Sequence, residues 1–187
     1  MKKIFAAILC LVFAVSSSFA FGIIPKIGVD IPGTMNYDKD PDDETKPGFM
    51  IGAEARNNIS NYFGWGAGFE YVLPRGFVDV SGDNDFSFLP LYVSLMFYPF
   101  GGWEKAKPYI KVNAGFSVLA TTQSDADMKG GLYLSAGVGA EYKNFVGEAM
   151  ASSYDGEFDG AGFSYQKIGF VFGYRFNINL FKSGSEE

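Results

Sequence analysis

The sequence has 187 residues, a length that suits one domain of ordinary size. It contains no histidine, and its single cysteine, Cys10, lies near the N-terminus. Histidine-based proton transfer, zinc and iron–sulfur sites, thiol nucleophiles and disulfides are therefore excluded from the rest of the chain, and we expect no cofactor and no specific metal site. The net charge of −6 also argues against nucleic acid as a partner, because a phosphate backbone repels an acidic chain.

Residues 1–20 have the features of a cleaved bacterial signal peptide. The start is basic, residues 4–15 are apolar, and small residues lead to a predicted cleavage after Ala20. The apolar stretch is too short to span a bilayer, which needs roughly 20 residues, and the bulky Leu9 argues against acylation of Cys10. We therefore predict a signal peptide over 1–20, one domain over 21–181 and a short polar tail over 182–187. Loss of Lys2 and Lys3 changes the net charge from −6 to −8.

Beyond residue 20, apolar and polar residues alternate with a period of two, which is typical of strands with unlike faces. The last segment is the clearest, because the even positions from Ile168 to Leu180 are all apolar or aromatic. The seventh is the weakest, since Glu148, Met150 and Ser152 share one of its faces. Turn-forming clusters separate the segments, and no linker divides the chain. In chain order the eight predicted strands are 26–31, 49–56, 64–71, 91–97, 110–118, 134–142, 145–154 and 164–181.

The bulk of the two faces predicts which one points outward. An eight-stranded barrel leaves an interior just wide enough for side chains or one small ligand. The aromatic face, with Trp65, Phe97 and Phe172, is too bulky for that interior, whereas the opposite face is rich in glycine and serine. An outward aromatic face needs lipid to cover it. Closure of the barrel gives every backbone N–H and C=O at a strand edge a hydrogen-bond partner, which hydrocarbon cannot supply. The sequence therefore predicts an all-β, eight-stranded antiparallel up-and-down transmembrane β-barrel, with a soluble lipocalin-like barrel as the alternative.

Charged residues on the small face are predicted to lie inside the barrel. Five are basic and five are acidic, in contrast to the acidic chain as a whole. Because an unpaired buried charge is costly, we expect these residues to neutralise one another in a hydrogen-bonded ladder that fills the lumen and disfavours a wide pore. The predicted lumen charge network comprises Lys26, Asp30, Glu54, Arg56, Glu70, Lys111, Glu141, Glu148, Lys167 and Arg175.

Enzymatic activity is not expected from this set of residues. Small membrane barrels that transfer acyl groups typically use a serine with a histidine base, and histidine is absent. A serine–lysine pair stays formally open, with Lys111 or Lys167 beside Ser117 or Ser135, but lumen filling explains these residues better. The carboxylates could suggest acid–base catalysis, yet an equal number of basic partners makes salt bridges the better explanation.

If both termini are periplasmic, residues 38–46, 74–85, 121–130 and 155–163 form the external loops. They hold 13 of the 21 acidic residues against four basic ones, among them Arg75. Carboxylates suit hard divalent cations, but the spacing matches no complete calcium-loop motif. We therefore expect a solvated acidic rim, with divalent cations at the loops as an open possibility.

Aromatic residues near the strand ends are candidates for the interfacial girdles of a membrane barrel, with ordinary turn packing as the alternative. They are Tyr37, Tyr62, Phe63, Phe86, Phe88, Tyr98, Trp103, Tyr109 and Tyr165.

The segment GFVFGYRF at 169–176 resembles the closing strand of small bacterial outer-membrane barrels of the OmpX and OmpA transmembrane-domain type. That resemblance implies eight antiparallel strands, both termini in the periplasm, and insertion by the outer-membrane assembly machinery. The pattern Lys167-x-Gly169-x-x-Phe172-x-Tyr174 also resembles the polar-x-Gly-x-x-aromatic-x-apolar signal read by that machinery. Such proteins usually end on the terminal aromatic, whereas this chain continues. The residues of this assembly signal are Lys167, Gly169, Phe172 and Tyr174, with Phe176 or Phe181 as the terminal aromatic.

Together these features predict an integral protein of a Gram-negative outer membrane with a structural, envelope-stabilising or surface-interaction role. The expected partners are outer-membrane lipids or lipopolysaccharide and the assembly machinery, and the expected state is a monomer. Two alternatives stay open. One is a narrow porin-like channel for ions or small solutes, and the other is a periplasmic lipocalin-like lipid-binding barrel.

Overall fold

The computed structural model of the protein describes residues 21–37, 43–78, 86–101, 106–121, 128–158 and 161–178. The predicted signal peptide and Phe181 lie outside these residues. Within the described ranges, no helix is both long and apolar enough to cross a membrane. The strands are β1 (Phe21–Asp30), β2 (Thr34–Tyr37), β3 (Asp43–Glu44), β4 (Gly48–Asn58), β5 (Phe63–Arg75), β6 (Phe86–Phe97), β7 (Ala106–Thr121), β8 (Met128–Tyr142), β9 (Phe145–Phe158), β10 (Ala161–Tyr174) and β11 (Phe176–Ile178).

These strands close into one barrel. Eight long strands pair antiparallel in the order β1-β4-β5-β6-β7-β8-β9-β10, and β10 pairs back onto β1. The three short strands extend the same wall, since β2 runs beside β10, β3 beside β2, and β11 beside β1. The prediction of a closed, eight-stranded antiparallel barrel is confirmed.

The barrel has two distinct ends. The terminal end carries Phe21, the connection at 59–62 and the turn Lys143-Asn144. In that turn Lys143 has a φ of 55°, the left-handed conformation that tight hairpin turns need. The loop end, at the opposite side, carries the connections after β5, β7 and β9.

A proline interrupts the first strand of the wall between β1 and β2. Pro32 has no N–H to give to the ladder. Next to it, Gly33 lies so close to the backbone oxygen of Gln166 that a Cβ there would collide. Thr45 bridges the break, because its hydroxyl accepts from the N–H of Gly33 at 3.1 Å and lies 3.2 Å from the Gly33 carbonyl oxygen.

The last strand is also divided, whereas the sequence predicts one strand over 164–181. It begins earlier, at Ala161, and is broken at Arg175. The N–H of Arg175 donates to the carbonyl of Asn144 at 2.7 Å instead of to a neighbouring strand. Its side chain lies over Gly22, where any Cβ would collide with it. At this position the terminal turn therefore takes the backbone N–H that the strand ladder would otherwise use.

Aromatic and branched apolar side chains cover the outer wall, and the predicted orientation of the two faces is confirmed. Phe49 is 64% exposed, Val138 60% and Phe172 58%, and they lie on different sides of the barrel. All ten predicted lumen charges lie on the inner face, and nine of them are fully buried, with Arg175 partly exposed at the terminal end. This arrangement is typical of a closed barrel whose surroundings are apolar and whose interior is polar.

The interior is bulkier than the sequence argument allowed. From the middle of the lumen to the loop end, buried rings pack together, and the rings of Phe88 and Tyr165 stack at 5.4 Å. The sequence analysis expected a face rich in glycine and serine and did not place these rings inside. They fit because they stack on one another and because inward glycines make room, as at Gly156, where a Cβ would lie 2.6 Å from the Phe163 ring. This cluster comprises Met35, Met50, Val72, Phe86, Phe88, Tyr92, Leu119, Tyr133, Tyr154, Phe163, Tyr165 and Val171.

Five of the nine girdle candidates are part of this interior, so for them the girdle prediction was wrong. Closeness to a strand end does not determine which face a side chain occupies, whereas the period of two does. Tyr62 and Phe63 are exposed at the terminal end, where Phe63 packs against Phe97 at 5.4 Å. The side chain of Tyr37 and all of Trp103 lie outside the described residues. The five buried candidates are Phe86, Phe88, Tyr98, Tyr109 and Tyr165.

The wall extends further at the loop end than predicted. Strands β7 to β10 contain 14 to 16 residues each, and they take in parts of the external loops predicted at 121–130 and 155–163. On the outer face of β9 and β10, polar residues begin at Ser153 and Gln166. The apolar band therefore ends below the end of the strands.

Candidate functional site

The terminal half of the lumen holds one continuous salt-bridge cluster. Lys26 of β1 and Lys111 of β7 each contact Glu54 of β4 at 2.5 Å. The same two ammonium groups contact Glu148 of β9, at 3.2 and 3.1 Å. All four side chains are at most 1% exposed. Two lysines and two carboxylates thus cross the lumen from four strands, and each charge has two partners of opposite sign.

Arg56 extends this cluster towards the terminal end. Its guanidinium contacts Glu54 at 2.8 Å, Glu148 at 2.7 Å and Glu141 at 2.8 Å. The planar fork of five N–H donors allows one arginine to serve several carboxylates, which an ammonium group does less well. Glu141 also contacts Arg175 at 3.1 Å. We call these seven residues, from Lys26 to Arg175, the terminal cluster.

Three tyrosines that the sequence analysis did not assign to the network complete it. Tyr109 donates to Glu148 at 2.6 Å and accepts from Arg56 at 3.0 Å. Tyr92 lies 3.2 Å from Glu54, and Tyr98 at the terminal mouth donates to Glu141 at 3.4 Å. Burial beside that carboxylate raises the pKa of Tyr98 above its ordinary value. The period of two could have placed Tyr109 inside, because it lies two residues before Lys111.

A second, smaller cluster lies towards the loop end. Asp30 contacts Arg75 at 2.6 Å and Lys167 at 2.8 Å. Because Asp30 belongs to β1 and Lys167 to β10, their pair bridges the seam where the barrel closes. Arg75 reaches across from β5 and also donates to the hydroxyl of Tyr165 at 3.2 Å. We call these three charged residues the loop cluster.

Arg75 corrects the sequence analysis, which placed it in an external loop. The structure places it at the end of β5 with 3% exposure. The register between β5 and β6 shifts between Val72 and Arg75. A bulge of this kind re-aims the side chains beyond it, and strict alternation cannot reveal it. With Arg75 inside, six basic residues oppose five acidic ones in the lumen.

Glu70 differs from the other lumen carboxylates. It is 6% exposed, and its hydrogen bond in the described structure comes from Tyr92 at 3.1 Å, with no ion pair there. On β7, Asn113 and Ser117 each have a buried side-chain oxygen that lacks a partner among the described residues. The predicted single ladder is thus two charge clusters, with a polar section around Glu70 that belongs to neither.

In the described part of the lumen, neither candidate lysine is hydrogen-bonded to a serine. Lys111 is held by two carboxylates and Lys167 by Asp30. The hydroxyl of Ser135 instead accepts from the Asn113 amide at 2.7 Å and lies 3.2 Å from the Tyr133 hydroxyl. Among the described residues, no group of three or more Asp, Glu, Cys or His side chains is arranged to hold a metal ion. The geometry favours charge neutralisation over activation of a nucleophile.

The residues of the predicted assembly signal occupy both faces of the last strands. Lys167 points inward, and a Cβ at Gly169 would lie 2.5 Å from a carboxylate oxygen of Asp30, so the glycine makes room for the loop cluster. Phe172, Tyr174 and Phe176 are exposed on the outer wall. Tyr174 packs edge-on against Phe176 at 4.9 Å. The role of these residues as a signal stays a prediction.

Nine of the 13 acidic loop residues lie outside the described residues, so the expectation of an acidic rim that could bind divalent cations also stays a prediction. Within the described ranges, Glu157 of the rim pairs with Lys129 at 3.2 Å, and both side chains are more than half exposed.

Comparison with known proteins identifies no relative by sequence. No protein-family model matches the chain, and no curated protein matches it. Solved structures do match. Ail, the attachment invasion locus protein of Yersinia pestis, is 21% identical with a TM-score of 0.52, and the match covers 84% of this chain and 99% of that one.

Two further solved structures match over similar lengths. Neisserial surface protein A is 11% identical with a TM-score of 0.56, covering 83% of this chain and 97% of that one. The outer membrane protein OprG from Pseudomonas aeruginosa is 14% identical with a TM-score of 0.54, covering 86% and 97%. Identities this low establish the fold and nothing finer. The chain therefore has the fold of the small eight-stranded outer-membrane β-barrels.

Proposed function

We propose that this chain is an exported, integral outer-membrane protein that stabilises the envelope or presents its external loops to partners, and that it is not an enzyme. The apolar outer wall supports the membrane location, because a soluble protein rarely exposes an apolar face of this extent. The same wall argues against the periplasmic lipid-binding alternative, which needs its apolar face on the inside. Outer-membrane lipids or lipopolysaccharide and the assembly machinery are the partners this proposal requires.

The terminal cluster carries the proposal of a closed lumen. Its side chains come from β1, β4, β7, β8 and β9 and bond to one another across the full width of the interior. A mobile ion would have to separate pairs that are shielded from water, and breaking such a pair costs about 3–5 kcal/mol. A stable, wide pore is incompatible with that arrangement.

Electrophoresis with and without boiling tests the membrane location. A folded membrane barrel in outer-membrane fractions resists detergent, so we expect anomalous migration that heating abolishes. A chain recovered from the soluble periplasmic fraction, with the same mobility before and after heating, would contradict the proposal.

Planar-bilayer recording separates the structural role from the narrow channel. The polar section around Glu70 is the observation that favours a channel, because the side-chain oxygens of Asn113 and Ser117 there lack a partner among the described residues. We expect no large, stable conductance from the purified protein, because the terminal cluster blocks the path beyond that section. A steady conductance in every inserted barrel would favour the channel instead.

A further inference from the structure

The outer wall is not uniformly convex, and one region of it forms a groove. The groove has a volume of about 770 Å³ and runs across β6 to β10 and the residues between β1 and β2. Ala136 of β8 and Ala151 of β9 form its floor, and they face each other as direct cross-strand partners. Leu95 forms one wall and Ile168 the other, 62% and 47% exposed. The volume lies within the range of ligand-binding pockets, about 300–1,000 Å³.

Differences in side-chain size on the outer face create the groove. Above and around it the lipid-facing side chains are large, as at Phe69, Phe116 and Phe170. At the floor they are methyl groups, so the cavity reaches the strands themselves. A bulk lipid that lay flat over this region would leave the floor without contacts, and unfilled space of this kind forfeits dispersion attraction.

The loop-side rim of the groove is polar but uncharged. It contains Thr34, Ser153 and Gln166, and Gln166 is exposed. Lys167 belongs to the lining through its strand, while its ammonium group lies in the lumen on Asp30. The rim coincides with the height at which the outer face of β9 and β10 changes from apolar to polar.

We propose that this groove holds one acyl chain of an outer-leaflet lipid, with the neutral ester or amide linkage of that chain at Gln166. The proposal rests on the membrane location proposed above. The apolar floor complements the hydrocarbon, and the uncharged rim complements the linkage. The described lining exposes no charged side chain, so the proposed contact is to the acyl chain and its linkage and not to a phosphate. Since the surrounding lipid is already apolar, the acyl chain's preference for the groove over the rest of the wall comes from close packing and not from burial of hydrophobic surface.

Filling the floor tests the proposal. The variant Ala136→Phe with Ala151→Phe places two rings in the groove. The matched control is Ala55→Phe with Ala67→Phe, because these alanines are also cross-strand partners on the outer wall, on β4 and β5. All proteins are inserted into phosphatidylcholine vesicles, extracted gently, and examined by native mass spectrometry for retained lipid. Heat-dependent mobility first establishes that each variant is folded.

We expect one retained lipid on the wild-type barrel and on the control, and at least a fivefold loss of it in the groove variant. Phosphatidylglycerol with the same chains should be retained equally well. Equal retention in the groove variant and the control, retention of only the anionic lipid, or no retained lipid on an inserted wild-type barrel would each overturn the groove proposal alone. Failure of the wild-type chain to insert would overturn the membrane location as well.

Discussion

Glu148 is one of two carboxylates, with Glu54, that contact the same three cations of the terminal cluster. It contacts Lys26, Lys111 and Arg56, and it accepts from the Tyr109 hydroxyl. Removing its charge leaves three buried cations with one full partner fewer each. Buried clusters are sensitive to the loss of one partner because the charges that stay behind are not solvated.

We therefore expect Glu148→Gln to lower the free energy of unfolding by about 3–5 kcal/mol. Urea unfolding in detergent micelles, followed by tryptophan fluorescence, measures this. Glu157→Gln is the matched control, since it removes the same charge from the exposed pair with Lys129 and should cost less than about 1 kcal/mol. Equal costs for the two variants would show that the lumen pairs are hydrated and weak.

The alternating pattern predicts which face a residue occupies, but not which residues it contacts. Side chains at alternate positions of a strand point to the same face, so Lys26, Glu54 and Lys111 could be placed in the lumen from the sequence. Their actual partners could not, because Lys111 and Glu54 come from strands β7 and β4, which are not neighbours in the wall. Contacts across a lumen depend on strand tilt and on barrel width, and neither is encoded locally.

Strand pairing is tightest where glycine faces a neighbouring backbone. A Cβ added at Gly137 of β8 would collide with the carbonyl oxygen of Ala149 on β9, whereas one added at Gly147 of β9 would meet nothing within 4 Å. The two glycines lie on paired strands and differ in the space around them.

Alanine substitution should therefore separate these two positions. We expect Gly137→Ala to destabilise the barrel by about 1–3 kcal/mol, because the strands must shift to admit the methyl group. Gly147→Ala should leave stability within about 0.5 kcal/mol of wild type, as an unstrained surface change does. The temperature at which the compact electrophoretic form disappears reports both. A larger loss for Gly147→Ala would mean that β8 and β9 pair in a different register.

The elements themselves were largely predictable, and their irregularities were not. All eight predicted strands exist, including 145–154, whose alternation was weakest. The break at Arg175 and the bulge before Arg75 were missed, because each depends on a hydrogen bond or register to another part of the chain. The longer strands at the loop end were missed because their outer faces are polar, so the apolar pattern ends before they do.

For the molecule as a whole, the two clusters predict where the lumen is blocked. Removing one pair from the terminal cluster, Glu54→Ala with Lys111→Ala, keeps the net charge and widens the interior. We expect this variant to show ion conductance in planar bilayers at least tenfold above the wild-type level. Removing the exposed pair, Glu157→Ala with Lys129→Ala, serves as the control and should leave conductance unchanged. A double variant as silent as wild type would place the block elsewhere, in the aromatic cluster towards the loop end.

The sequence by itself determined the strands, their closure into one barrel, the apolar outer face and the charged inner face. The strands and their unlike faces follow from a period of two, which is a local property of the chain. Closure and the outward position of the apolar face follow from the bulk of the aromatic side chains, which a narrow interior does not hold. Tertiary structure alone decided that the lumen charges form two clusters, that Arg75 joins Asp30 and Lys167, and that buried rings share the interior. The physical reason is that these contacts join residues far apart in the chain, whose distances are set by register, bulges and closure of the wall.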